Sequence, residues 1–270
     1  MKRFFVVGLA LALILSFAGD AKQTAEQGTF AYQITKKSTG ATEKAGEESF
    51  VLQKQADGSF RLISSFKALS EELKAEYGTD DLFSLEMTTD ANVYLVNYRV
   101  TSKTVRGQFD ATVDVKGQVA KIVLKTKDPT GKESSSEREV ILGNPGDADR
   151  VEPVVATGFA GSDLMILQKF VTANIKENKR SFLALDPFRL TNPAVRLDLE
   201  KLSPVKLKTE KETIEVQRIS VTFKDEKGET FAIEMLSKDN ILQGITAESP
   251  TSRLLMYRSD LYPKGFEVLK

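Results

Sequence analysis

The chain of 270 residues contains no histidine, no cysteine and no tryptophan. Each absence removes a chemistry. Without histidine or cysteine there is no Ser-His-Asp or Cys-His catalysis, no zinc site on imidazole or thiolate, no haem ligation through either, and no thiol redox couple. Without cysteine there is also no disulfide, so the fold rests on packing, for which a chain of this length has ample core. Neither sign of charge dominates. Lys+Arg and Asp+Glu number 38 each, which gives no electrostatic footprint for nucleic acid. A phosphate-cradling loop and a dinucleotide fingerprint are missing as well. We therefore expect no cofactor and no metal. The acidic pairs Asp147 with Asp149, and Asp225 with Glu226, lack the spacing of a calcium loop and read as solvated turn residues.

Long hydrophobic runs are also scarce. One exists, from Phe4 to Phe17, behind the basic Met1-Lys2-Arg3 and ahead of the small residues Ala18-Gly19-Asp20-Ala21. A run of about 14 residues fits the apolar core of a secretory leader and falls short of the ~20 needed to span a bilayer. Cleavage after Ala18 or after Ala21 obeys the small-residue rule. The expectation is a leader over residues 1–21, a mature chain that does not span the membrane, and a periplasmic or secreted location.

What the chain does have is alternation. Phe30, Tyr32 and Ile34 share a phase, as do Phe50 with Leu52, and Phe60, Leu62 and Phe66. Each set predicts a strand with one buried face. Asp57-Gly58 and Lys116-Gly117 mark tight hairpins. About a dozen strands follow one another with short turns, the spacing of an antiparallel meander. Between Ile214-Val216 and Ile219-Val221-Phe223 the inward phase changes, which predicts a bulge near Gln217-Arg218.

Two segments break this rhythm with helical spacing. Ala68 to Tyr77 is a short helix with Gly78 as its stop. Ser162 to Asn178 is a long one, with Leu164, Leu167, Phe170, Val171 and Ile175 on an apolar face. Ser162 is the expected N-cap, Asp163 suits the positive end of the dipole, and Lys176 and Lys179 suit the other end. The expected class is mainly β: a large curved antiparallel sheet, an incomplete barrel, wrapped on one long helix with a second short helix. We expect a single β-rich domain over residues 22–270, made of a β half at 28–143, the helix at 162–178 and a β half at 180–258. Whether the halves form one sheet or two stays open.

One catalytic pattern occurs. Ser64-Ser65-Phe66-Lys67 fits S-x-x-K, but its S-D-N and K-T-G companions are missing, and on a strand Ser64 and Lys67 point to opposite faces. A hydrolase built on this pair or on carboxylates is the third of three functional readings. The first is a non-catalytic binder of a lipid or other hydrophobic ligand. The second is a structural or interaction module of the cell envelope with a protein partner. For a binder, the face of Tyr94, Val96, Tyr98 and Val100, with Phe109 and Val113, is either plain core or the lining of a cavity. Leu167, Phe170 and Val171 would complete that lining from the helix.

The leader, the opening GTFAYQITKK…EESFVLQKQADGSFRLISSF and the closing ETIEVQRISVTFKDEKGETFAIEMLSKDNILQGITAE together resemble exported bacterial β-proteins of the LolA/LolB type. The resemblance lies in layout over most of the mature chain, without a diagnostic motif. It implies an incomplete antiparallel barrel around helices, with a hydrophobic cavity that receives acyl chains or another apolar ligand. This chain is longer than those carriers, has no tryptophan, and lacks the cysteine on which the outer-membrane receptor is lipidated.

Overall fold

A computed structural model describes residues 24–142, 153–156, 160–189, 193–224 and 228–269. The leader, the 143–149 loop with Asp147 and Asp149, and the Asp225-Glu226 turn lie outside them. In chain order the first half runs β1 (Thr24–Lys36), β2 (Thr42–Lys54), β3 (Phe60–Ala68), α1 (Glu71–Tyr77), β4 (Asp81–Thr89), β5 (Leu95–Thr104), β6 (Gly107–Lys116), β7 (Val119–Lys127) and β8 (Glu133–Ile141). After β9 (Pro153–Ala156) comes α2 (Gly161–Asn174). The second half runs β10 (Lys179–Leu185), β11 (Ala194–Lys208), β12 (Thr213–Lys224), β13 (Thr230–Lys238), β14 (Ile241–Glu248), β15 (Ser252–Arg258) and β16 (Glu267–Leu269).

The strands form one sheet. Its order is β8-β7-β6-β5-β4-β3-β2-β1-β15-β14-β13-β12-β11-β10-β9, with β16 added beside β11. Every ladder is antiparallel except β9 with β10. The two halves are continuous because the first strand pairs with the fifteenth, Phe30 opposite Arg258 and Ile34 opposite Leu254. Among the described residues no ladder joins β8 to β9, so the sheet is not closed into a barrel. Its ends still approach one another: Arg138 of β8 donates from Nη1 to the carbonyl of Arg189, beyond β10. This is the expected mainly-β architecture, a large antiparallel sheet around a long helix with a short one beside it.

Arg258 fastens the β1–β15 seam. Only 4% exposed, it reaches Glu26 at 2.8 Å and Asp260 at 2.7 Å, and its guanidinium stands 4.9 Å from the centre of the Phe50 ring. Lys169 of α2 also reaches Glu26, at 3.1 Å. The seam and the helix thus share one carboxylate.

Two strand-level expectations need correction. In β5, Leu95 pairs with Thr89 and Asn97 with Thr88, so Val96 is the extra residue of a bulge. The bulge reverses the phase: Leu95, Tyr98 and Val100 are buried, whereas Val96 is 40% exposed. The irregularity expected in β12 lies instead in its neighbour, where Leu202 pairs with Arg218 and Val205 with Val216. Ser203-Pro204 is accommodated there because proline cannot donate to a ladder. β12 stays regular, and its apolar residues change face because both faces are covered. Ile219 and Val221 join the main core, while Ile214 and Val216 join Leu207 and Leu236 in a second cluster under Tyr262, Phe266 and Val268 of the C-terminal segment.

The helix ends were also placed differently by the sequence. α2 starts at Gly161 with Ala160 as N-cap, and stops at Asn174 instead of Asn178. Ile175 is extended, and Lys179 already belongs to β10. Leu164, Met165, Ile166, Leu167 and Phe170 are all at most 3% exposed. Buried on every side from Gly161 to Gln168, and exposed only near its end at Thr172 and Ala173 among the described side chains, α2 lies inside the sheet and not on its surface. α1 is shorter than expected at its start. Ser70 caps it by accepting from Leu73 N, and Gly78 stops it at φ 69°, as its freedom from Cβ allows.

Candidate functional site

Where α2 begins, the sheet supplies what the helix lacks. The first N–H groups of a helix have no partner within it, and the N-cap Ala160 has no side-chain acceptor to offer. Glu48 of β2 takes that place. Its carboxylate accepts from Gly161 N at 2.8 Å and from Ser162 N at 3.3 Å, and Ser162 Oγ donates to Oε1 as well. Tyr32 of β1 donates to Oε2 at 2.5 Å, while its own oxygen accepts Gly161 N at 2.8 Å. Ser64 of β3 completes the group, 2.9 Å from Ser162 Oγ. Glu48 and Ser162 are wholly buried. A carboxylate with this many donors, at the positive end of a helix dipole, is a long-range N-cap.

Gly161 has a packing reason too. A Cβ there would lie 2.4 Å from Met256 Sδ and 2.8 Å from Phe30 Cδ2. At the far end, Lys201 of β11 donates to the Ile175 carbonyl at 2.9 Å. It fills the role that Lys176 and Lys179 were expected to play. Both ends of α2 are therefore capped from the surrounding sheet.

Ser64 and Lys67 are separated by the strand that carries them. Ser64 is buried against Ser162, and Lys67 is exposed on the opposite face. The S-x-x-K pattern does not assemble into a Ser–Lys pair.

Beside this polar knot the inner face of the sheet leaves an apolar space that is partly open to solvent. A cavity of about 560 Å³ lies between α1, the start of α2 and the inner face of β1 and β3–β6. Its walls are Tyr32, Phe66, Leu73, Tyr77, Leu82, Phe83, Leu85, Tyr98, Val100, Ser102, Phe109, Ala160 and Phe188. Phe188, 38% exposed, stands at the rim. The volume falls within the range of small-molecule sites, about 300–1,000 Å³. None of the described lining residues is charged.

Of the seven nominated residues, Tyr98 and Phe109 line this cavity. Val96 points outward for the reason given above. Tyr94, Leu167, Phe170 and Val171 pack in the core instead, with Phe170 edge-on to Tyr94 at 5.2 Å and to Phe182 at 5.0 Å. The helix stripe fills its part of the concavity, and the space remains beyond the N-terminus of α2. The sequence reading missed Glu48, although a signal existed: it shares the inward phase of Phe50 and Leu52. A charge on an apolar face asks for a buried partner.

Burial and the adjoining Glu48 push the Tyr32 hydroxyl well above its ordinary value of 10.0. Tyr98 is raised in the same way, by burial first and then by Asp163, Asp186 and Glu48. Folded Tyr32 thus keeps its proton at a pH where the unfolded chain has lost it. The unfolded state then binds fewer protons, so stability is fully present below about pH 10 and falls as pH rises beyond it. The unfolding midpoint of the wild type, followed from about pH 8 to about pH 12, is expected to fall more steeply than that of Tyr32→Phe. Parallel curves would remove Tyr32 from the account.

No family model matches the chain, and no curated protein matches it. Among solved structures, it is similar to a β-barrel-like protein of domain of unknown function DUF1849 from Brucella abortus. The TM-score is 0.49 at 10% identity, over 90% of this chain and 97% of that one.

Proposed function

We propose that the chain is an exported, non-catalytic carrier that holds an apolar ligand in the cavity beside α1, in the manner of the LolA/LolB-type proteins whose layout it resembles. The observation that carries this reading is the unfilled apolar volume of about 560 Å³ in a protein whose helix and inner sheet face are otherwise closely packed. An uncharged, mostly apolar concavity of this size, partly open to solvent and rich in aromatic side chains, has the form of a small-molecule site. Export, to the periplasm or outside the cell, is supported by the leader pattern expected at residues 1–21. The non-catalytic reading is supported by the missing histidine and cysteine and by the divided Ser64 and Lys67. Among the described residues, no helix is long and apolar enough to cross a membrane.

An apolar dye that fluoresces on leaving water tests the reading. Wild-type protein is expected to bind it saturably, and Val100→Trp, which projects an indole into the cavity, to lose at least tenfold in affinity while unfolding cooperatively. Leu85→Trp on the neighbouring strand gives the same result from another wall. Equal binding by wild type and both variants would place the dye elsewhere and sink the proposal.

The second reading, an envelope interaction module, draws on β8. Its residues Glu133–Glu137 are all exposed, Ile141 is 78% exposed, and among the described residues only β7 pairs with it. Such an edge is a template for strand addition. Recovery of a defined protein partner that is lost on Glu137→Pro, with dye binding unchanged, would favour it.

A further inference from the structure

We infer that the ligand carries a cationic head, an amine or quaternary ammonium, and that carboxylate-headed or phosphate-headed lipids of equal chain length are rejected. This rests on the cavity reading above and narrows it to a chemical class.

The first ground is the wall itself. Seven of the thirteen lining residues are Phe or Tyr. Three of them run in a continuous series across β1, β3 and β4: Tyr32 is edge-on to Phe66 at 4.9 Å, and Phe66 is stacked on Phe83 at 5.4 Å. Aromatic faces carry partial negative charge and attract cations, most strongly where water is excluded.

The second ground is what stands behind the wall. Three carboxylates each lie one hydrogen bond from a lining residue. Glu48 accepts from Tyr32 Oη at 2.5 Å, Asp163 from Ala160 N at 3.3 Å, and Asp186 from Phe188 N at 2.9 Å. The start of α2 offsets part of the first two charges, and Arg189, 3.4 Å from Asp186, part of the third. No lysine or arginine occurs among the described lining residues. An anionic head would be desolvated there without a cation to receive it, beside charges of its own sign. A cationic head meets rings in front and carboxylates beyond.

The test is competition against the apolar dye by three ligands of one chain length, decyltrimethylammonium and decanoate below their micelle concentrations and decanol below its solubility limit. The ammonium is expected to bind about tenfold tighter than decanoate at neutral pH, with decanol between them. Phe83→Leu, which keeps an apolar wall but removes a ring, is expected to weaken the ammonium several-fold more than decanol. Equal loss of both would remove the rings from the argument. Decanoate or decanol as the tightest ligand would overturn the cationic class while leaving the cavity reading intact. Displacement by none of the three, with no dye uptake, would overturn both.

Discussion

Glu48→Ala is expected to destabilise the protein by about 3–5 kcal/mol, a large part of the ~5–15 kcal/mol that a domain usually has. The substitution strips acceptors from Gly161 N, Ser162 N, Ser162 Oγ and Tyr32 Oη at a site wholly removed from water. Each donor left unpaired costs about 1–3 kcal/mol. Tyr32 and Ser64 can recover part of this, since Tyr32 Oη already accepts Gly161 N and Ser64 already meets Ser162. Glu48→Gln keeps one acceptor oxygen and is expected to lose roughly half as much. Chemical unfolding of the three proteins measures the order. If Glu48→Ala lies within about 1 kcal/mol of wild type, α2 is held by apolar packing alone and the long-range cap is decoration.

The second large effect is expected at the other end of the helix. Phe170 is fully buried and joins Tyr94, ahead of β5, to Phe182 of β10. Its truncation to alanine removes two ring contacts and opens a void between the two halves of the sheet. Losses for such changes run at about 3–5 kcal/mol. The outcome also separates two roles. If Phe170 is core, Phe170→Ala loses stability while dye affinity at the cavity of Tyr98 and Phe109 stays within a few-fold. A large loss of affinity with stability preserved would return Phe170 to the ligand site.

Local features were the most readable in the sequence. The alternation of Phe30, Tyr32 and Ile34, the turn at Gly58 and the helix stop at Gly78 are all decided within a few residues. What the sequence hid depends on distant partners. The extra residue at Val96 reverses a face because Leu95 and Asn97 take adjacent partners in β4. The polar segment Ser134–Ser136 carries no strand signal of its own, since ladder bonds to β7 hold it with no apolar face. The union of β1 and β15 at Phe30 and Arg258 leaves no mark on either segment alone. Ser162 looked like an N-cap because serine usually is one, yet its hydroxyl serves Glu48, which caps α2 from 114 positions away.

The cavity was harder to foresee than the fold. Periodicity identifies inward residues but does not tell packed ones from those facing a space. Leu167 and Tyr98 carry the same inward signal, and one meets sheet while the other lines a void. The difference lies in the position of α1, which holds Leu73 and Tyr77 over the inner face of β3–β6. The Ala45 carbonyl, on the extra residue of the β2 bulge, accepts Leu69 N and Ser70 N at the root of that helix.

Native mass spectrometry of the full chain, purified without detergent after expression with its leader, tests the central claim most directly. The account predicts a mature protein carrying one apolar molecule, released on unfolding, and absent from Val100→Trp prepared in the same way. A wild-type protein that is ligand-free as isolated, and takes up no apolar molecule when offered one, would contradict it.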